Sequence, residues 1–138
     1  MFSKPGILLR VEGVFVLALS LFLYRAAGAH WGIFFLLFLW PDLSILGYLV
    51  SARLGSRLYN LVHTYVLPLA LAGVSVYKHD ARLLAFALIW FAHIGMDRAL
   101  GFGLKYPTFF KDTHLQRVDQ PLPTIGDGAR ATTSSLLR

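Results

Sequence analysis

The stretch RLLAFALIWFAHIGMDRALGFGL, residues 82–104, decides the fold. At a rise of about 1.5 Å per residue it is long enough to cross a bilayer core of roughly 30 Å. Its apolar residues run continuously instead of alternating, so it predicts a spanning helix and not a strand of a membrane barrel. Working outward, runs of the same character occupy residues 7–27, 31–50 and 58–77. The expected architecture is all-α, a polytopic four-helix transmembrane bundle formed by residues 1–117. Short loops are expected at 28–30, 51–57 and 78–81. Beyond residue 104, Pro107, Pro121 and Pro123 break any helix, and the Thr/Ser-rich end reads as a flexible cytoplasmic tail over residues 118–138.

Composition agrees with this reading. Of 138 residues, 57% are hydrophobic and only 14% charged, and the mean hydropathy of +0.61 exceeds that of an ordinary soluble domain. Cysteine is absent, which excludes disulfides, thiolate nucleophiles and thiolate metal sites. Any metal must be held by His, Asp or Glu. The net charge of +6 does not point to nucleic acid, because the basic residues lie between and after apolar runs and form no stripe with interleaved aromatics. A cleavable leader is a rival for the first run, given Lys4, Arg10 and the small residues 26–29. Glu12 would interrupt its apolar region.

Membrane topology accounts for the charges instead. With four spans, the amino end, the 51–57 segment and the tail share one side, which carries Lys4, Arg10, Arg53, Arg57, Lys105, Lys111 and Arg117. The other side offers Arg25, Lys78 and Arg82. The positive-inside rule makes the first side cytoplasmic, with both termini there and the protein multi-pass in the inner, cytoplasmic membrane. The lipid bilayer is the expected partner, with anionic headgroups against the basic rim.

Ionisable residues inside the spans carry the functional information, since each costs several kcal/mol in the bilayer unless partnered or hydrated. From the cytoplasmic ends, Glu12 lies about 8 Å deep, Asp42 about 12, His63 about 8 and Asp97 about 10 at 1.5 Å per residue. Alternating chain direction therefore brings polar groups from four helices to one level. His93 sits one turn deeper and shares a face with Asp97 at i, i+4. Asp42, His63, His93 and Asp97 form a mixed N/O ligand set suited to zinc, manganese or iron. Glu12 is a further ligand or general base, and Arg98 is available for a phosphate or carboxylate, so these two are the candidate catalytic residues. Pro41 removes a backbone donor beside Asp42 and predicts a kink or break there. Tyr59 shares the face of His63. The alternative reading makes the same residues interhelical glue, pairing Glu12 with Arg98 or His93 with Asp97.

The runs Trp40-Pro41-Asp42-Leu43-Ser44, Tyr59-Asn60-Leu61-Val62-His63-Thr64-Tyr65 and Ala92-His93-Ile94-Gly95-Met96-Asp97-Arg98 resemble a bacterial family of small integral membrane proteins catalogued only as a domain of unknown function. Gly101-Phe102-Gly103-Leu104-Lys105-Tyr106-Pro107 and Lys111-Asp112-Thr113-His114-Leu115 extend the resemblance over residues 8–117. It implies the membrane fold and no activity. More distantly, Pro41-Asp42, His63 and His93 to Asp97 resemble motifs of predicted membrane-bound metal-dependent hydrolases, which implies metal-assisted hydrolysis. Ser44 and Leu58 depart from that pattern, standing where an acid and a histidine belong.

Two other classes compete. An ion or proton transport component would use the acids and imidazoles to bind and release ions, and four short spans would then require a homo-oligomer or a partner. A structural or regulatory membrane protein would use them only for packing.

Overall fold

The computed structural model describes residues 5–107 and 113–115. The expected tail at 118–138 lies outside the described residues. Helix α1 runs Pro5–Ala26, α2 Trp31–Leu37, a 3-10 helix Trp40–Leu49, α3 Ala52–Val62, α4 Val66–Lys78 and α5 Ala81–Leu100. Joined as Pro5–Ala26, Trp31–Leu49, Ala52–Lys78 and Ala81–Leu100, they make four helices long and apolar enough to cross a membrane. Among the described residues the β-structure is an isolated bridge between Lys105 and Thr113.

The boundaries correct the sequence reading in three places. Residues 51–57, expected as a loop, are instead the start of α3. The Ser51 side chain caps this helix by accepting from Leu54 N at 3.1 Å. Arg53 and Arg57 lowered the apolar count there but sit exposed on the outer face. The last helix ends at Leu100, short of residue 104, because Gly101 takes φ +92° and Phe102 N donates back to Asp97 O at 2.7 Å. Both middle spans are broken, the second into α2 and the 3-10 helix, the third between Val62 and Val66. The break expected at Pro41 thus takes the form of a ten-residue 3-10 helix, a length seldom reached because its hydrogen bonds are poorly aligned.

A break inside a bilayer leaves carbonyls without water, so other groups must satisfy them. Here α5 supplies two. Trp90 Nε1 donates to Val62 O at 2.7 Å, and Arg98 Nη2 donates to His63 O at 3.1 Å. Helix α5 is the central element: half of its most apolar stretch is buried, against 17% for α1. The α1 face against it carries Gly6, Gly13, Ser20 and Tyr24. At Gly13 an added Cβ would fall 2.7 Å from Ala99 N, and at Gly95 one would fall 2.8 Å from Leu17 N, so the two backbones touch. At the other end Tyr24, Phe34, Leu88, Ile89 and Ala92 form an apolar core, with Tyr24 Oη donating to His30 O at 2.8 Å across the α1–α2 turn. Trp40 and Trp90 pack edge to face at 4.6 Å. The 3-10 helix lies on α3.

Candidate metal centre

Three elements converge beside the break in the third span. Asp42 stands early in the 3-10 helix, His63 caps the end of α3, and His93 and Asp97 occupy one face of α5. His63 Nε2 lies 3.5 Å from Asp42 Oδ1 and 3.4 Å from Asp97 Oδ2. His93 Nε2 lies 3.4 Å from Asp42 Oδ1 and 3.6 Å from Asp97 Oδ2. The two Nε2 atoms are 3.3 Å apart. All four ligand atoms fall within 4.8 Å of one another, close enough to hold a metal ion.

These lengths discriminate between two arrangements. Good N–H···O hydrogen bonds measure about 2.7–3.2 Å, and the four imidazole–carboxylate contacts are all longer. A tetrahedron with ligand bonds of about 2.0–2.2 Å has edges of roughly 3.3–3.6 Å, the range that the five contacts occupy.

His63 Nδ1 is 2.9 Å from the carbonyl of Tyr59, an acceptor only, so Nδ1 donates there and Nε2 is the ring nitrogen turned to the cluster. A divalent cation among the four groups would offset the two carboxylate charges.

Partners around the four residues differ. Tyr59 stacks on the His63 ring at 3.7 Å and 11°, and its hydroxyl donates to Asp97 Oδ2 at 3.3 Å. Lys105 Nζ lies over the Tyr59 ring, 4.5 Å from its centre, and 5.5 Å from the centre of the Tyr48 ring. Asn60 fixes the Lys105 backbone from both ends, donating to its carbonyl at 2.8 Å and accepting from its N–H at 2.7 Å. Burial pushes the Lys105 ammonium down to about 8, with Asp42 and Asp97 opposing the shift. His93 packs edge-on to Phe38 at 5.5 Å, and its Nδ1 is buried with no hydrogen-bond partner. The second hydrogen bond that usually orients a metal-bound imidazole is therefore present for His63 and missing for His93.

Glu12 and Arg98 are not members of this group. They line a groove of about 600 Å³ along α1 with Leu9, Phe15 and Tyr65. Arg98 meets the cluster only through backbone, its guanidinium donating to His63 O and, at 3.0 Å, to Phe102 O. Ser44 Oγ donates to Pro41 O at 2.7 Å. His114 Nδ1 accepts from Leu104 N at 2.7 Å, and burial followed by the Arg98 charge lowers its pKa. The spacing of Tyr59 and His63 announced their shared face. No local signal announced the Tyr59–Asp97 contact, made across 38 residues, or the placement of Lys105.

The chain belongs to the family described as a domain of unknown function (DUF4260), which matches residues 6–118 and so takes in all four clustered residues. No curated protein and no solved structure matches the chain.

Proposed function

We propose that this is a multi-pass membrane metalloprotein in which Asp42, His63, His93 and Asp97 hold one divalent ion, zinc, manganese or iron, for metal-assisted hydrolysis. The observation that carries the reading is the set of five contacts at tetrahedral-edge length among four converging candidate ligand atoms. Two imidazoles with two carboxylates suit these borderline ions better than calcium or magnesium, which prefer oxygen. A bound divalent ion would lower the pKa of its water towards neutrality, supplying a nucleophile near neutral pH. The short motifs Pro41-Asp42, His63 and His93 to Asp97, which resemble those of predicted membrane-bound metal-dependent hydrolases, support the hydrolytic part of this reading.

In this reading Arg98 is a positioning residue that fixes the backbone of His63, and Glu12 stays outside the chemistry in its own groove. The basic residues near the chain ends and in the 51–57 segment support a reading in which both termini lie on the cytoplasmic side of the inner membrane, against anionic lipid.

Elemental analysis of the detergent-purified full chain tests the centre. The expected result is stoichiometric metal that is lost in His93→Ala. A wild-type preparation that stays metal-free after supplementation, with unfolding unaffected by added zinc, manganese or iron, overturns it.

A further inference from the structure

Four protein ligands close a tetrahedral site, and closed sites are structural; a catalytic one keeps a position for water or substrate. Resting on the metal reading above, we infer that Asp42 is the releasable ligand. His63, His93 and Asp97 would anchor the ion, and Asp42 would give up its place to an oxygen donor and take up that donor's proton.

The four residues are held unequally. The side chains of His63, His93 and Asp97 are 2%, 0% and 10% exposed, whereas Asp42 is 39% exposed. Each anchored residue has support besides the cluster. His63 is tied through Nδ1 to Tyr59 O, through its ring to the Tyr59 face and through its carbonyl to Arg98. His93 lies in the middle of buried α5, and Asp97 accepts from the Tyr59 hydroxyl. Asp42 has no comparable tether: among the described residues its carboxylate meets the two imidazole nitrogens. Its backbone also differs, belonging to a ten-residue 3-10 helix with Pro41 at its start, in a segment that packs mainly on α3 and meets the central helix through Trp40 and Asp42. Long 3-10 stretches within a span mark hinges or strain, and a small rewinding turns a side chain through a large angle.

The step balances without any redox partner. With an ion held by His63, His93 and Asp97, the place given up by Asp42 Oδ1 would be taken by a water oxygen, and the freed Asp42 carboxylate would be placed to accept that water's hydrogen bond and proton. The position accepts equally the carbonyl or phosphoryl oxygen of a substrate, since both are neutral or anionic oxygen donors to a Lewis acid.

Cobalt(II), whose visible absorption is intense in tetrahedral and weak in higher coordination, is the probe, titrated into the detergent-solubilised full chain. Asp42→Ala is expected to lower cobalt affinity by no more than the roughly 10–100-fold typical of an outer partner. Asp97→Ala and His93→Ala are expected to abolish binding. Millimolar acetate should restore the wild-type spectrum in Asp42→Ala and do nothing for Asp97→Ala; Asp97→Asn replaces the latter if gel filtration finds it aggregated. Equal loss in all variants, or an Asp42→Ala spectrum indifferent to acetate, overturns the releasable-ligand inference and leaves the centre standing. Wild-type protein that takes up no cobalt removes the centre itself, a separate failure.

Discussion

Two polar regions lie inside the same bundle, and they are built in opposite ways. Around Asp42, His63, His93 and Asp97 the candidate ligand atoms converge within 4.8 Å of one another; along α1, Glu12 and Arg98 border an open groove. Residue counting along the spans gives them similar expected depths, so depth does not separate them. Helical phase does. The buried stripe of α1 passes through Gly6, Gly13, Ser20 and Tyr24, and the glycine contact with Gly95 locks that stripe onto α5. Glu12 is one residue from Gly13, hence about 100° round the helix, and is turned away from the seam.

Substitutions sharpen this contrast. The largest effect is expected for His93→Ala. At zinc a hundredfold above Kd, binding stabilises the native state by about 2.7 kcal/mol, and this variant should lose that whole increment in a thermal-shift titration. A variant that keeps the zinc-dependent shift would dissolve the distinction between the two regions. Next comes Tyr59→Phe, which keeps the ring against His63 and removes the hydroxyl from Asp97 Oδ2. Zinc affinity should fall about 10–100-fold, measured by competition with a chromophoric chelator.

A smaller effect is expected from Lys105, which lies beyond the last span beside the cluster. Its ammonium is held near 8 in the folded chain against an ordinary value of 10.5, so the unfolded chain binds more protons between those limits. Stability should therefore rise as pH climbs from about 8 towards 10.5 and be lost again as pH falls through 8. Lys105→Met should remove that component of the pH dependence, read by denaturation at pH 7.5 and 10. The smallest effect belongs to Glu12→Gln, which should change stability by no more than about 0.5 kcal/mol and leave zinc affinity alone. A loss there as large as that of Tyr59→Phe would draw the acid into the site.

The sequence made much of this readable, and the failures have physical causes. Apolar run length located all four spanning segments, because a bilayer imposes a minimum length that a composition window detects. The same window missed the start of α3, where Arg53 and Arg57 lie on an outward face and the helix is announced only by its Ser51 cap. For the site, equal depth from alternating helices brought Asp42, His63, His93 and Asp97 into one group, as the structure does. It also included Glu12, since depth carries no information about rotation. The spacing of Gly6, Gly13 and Ser20 held that missing phase. Pro41 announced a discontinuity without specifying how the chain would wind after it, because a missing donor is compatible with a kink, a loop or a 3-10 helix.

That winding has a mechanical consequence. Ten residues at the 3-10 rise of about 2.0 Å extend roughly 20 Å, where an α-helix would reach about 15 Å. A segment of only 19 residues thereby gains about 5 Å of reach across the hydrocarbon layer. A thinner bilayer removes the need for that extra length, at a cost or gain of a fraction of a kcal/mol per ångström of mismatch. Since the stretched segment also carries Asp42, any change in its winding would move that carboxylate relative to the two imidazoles it meets.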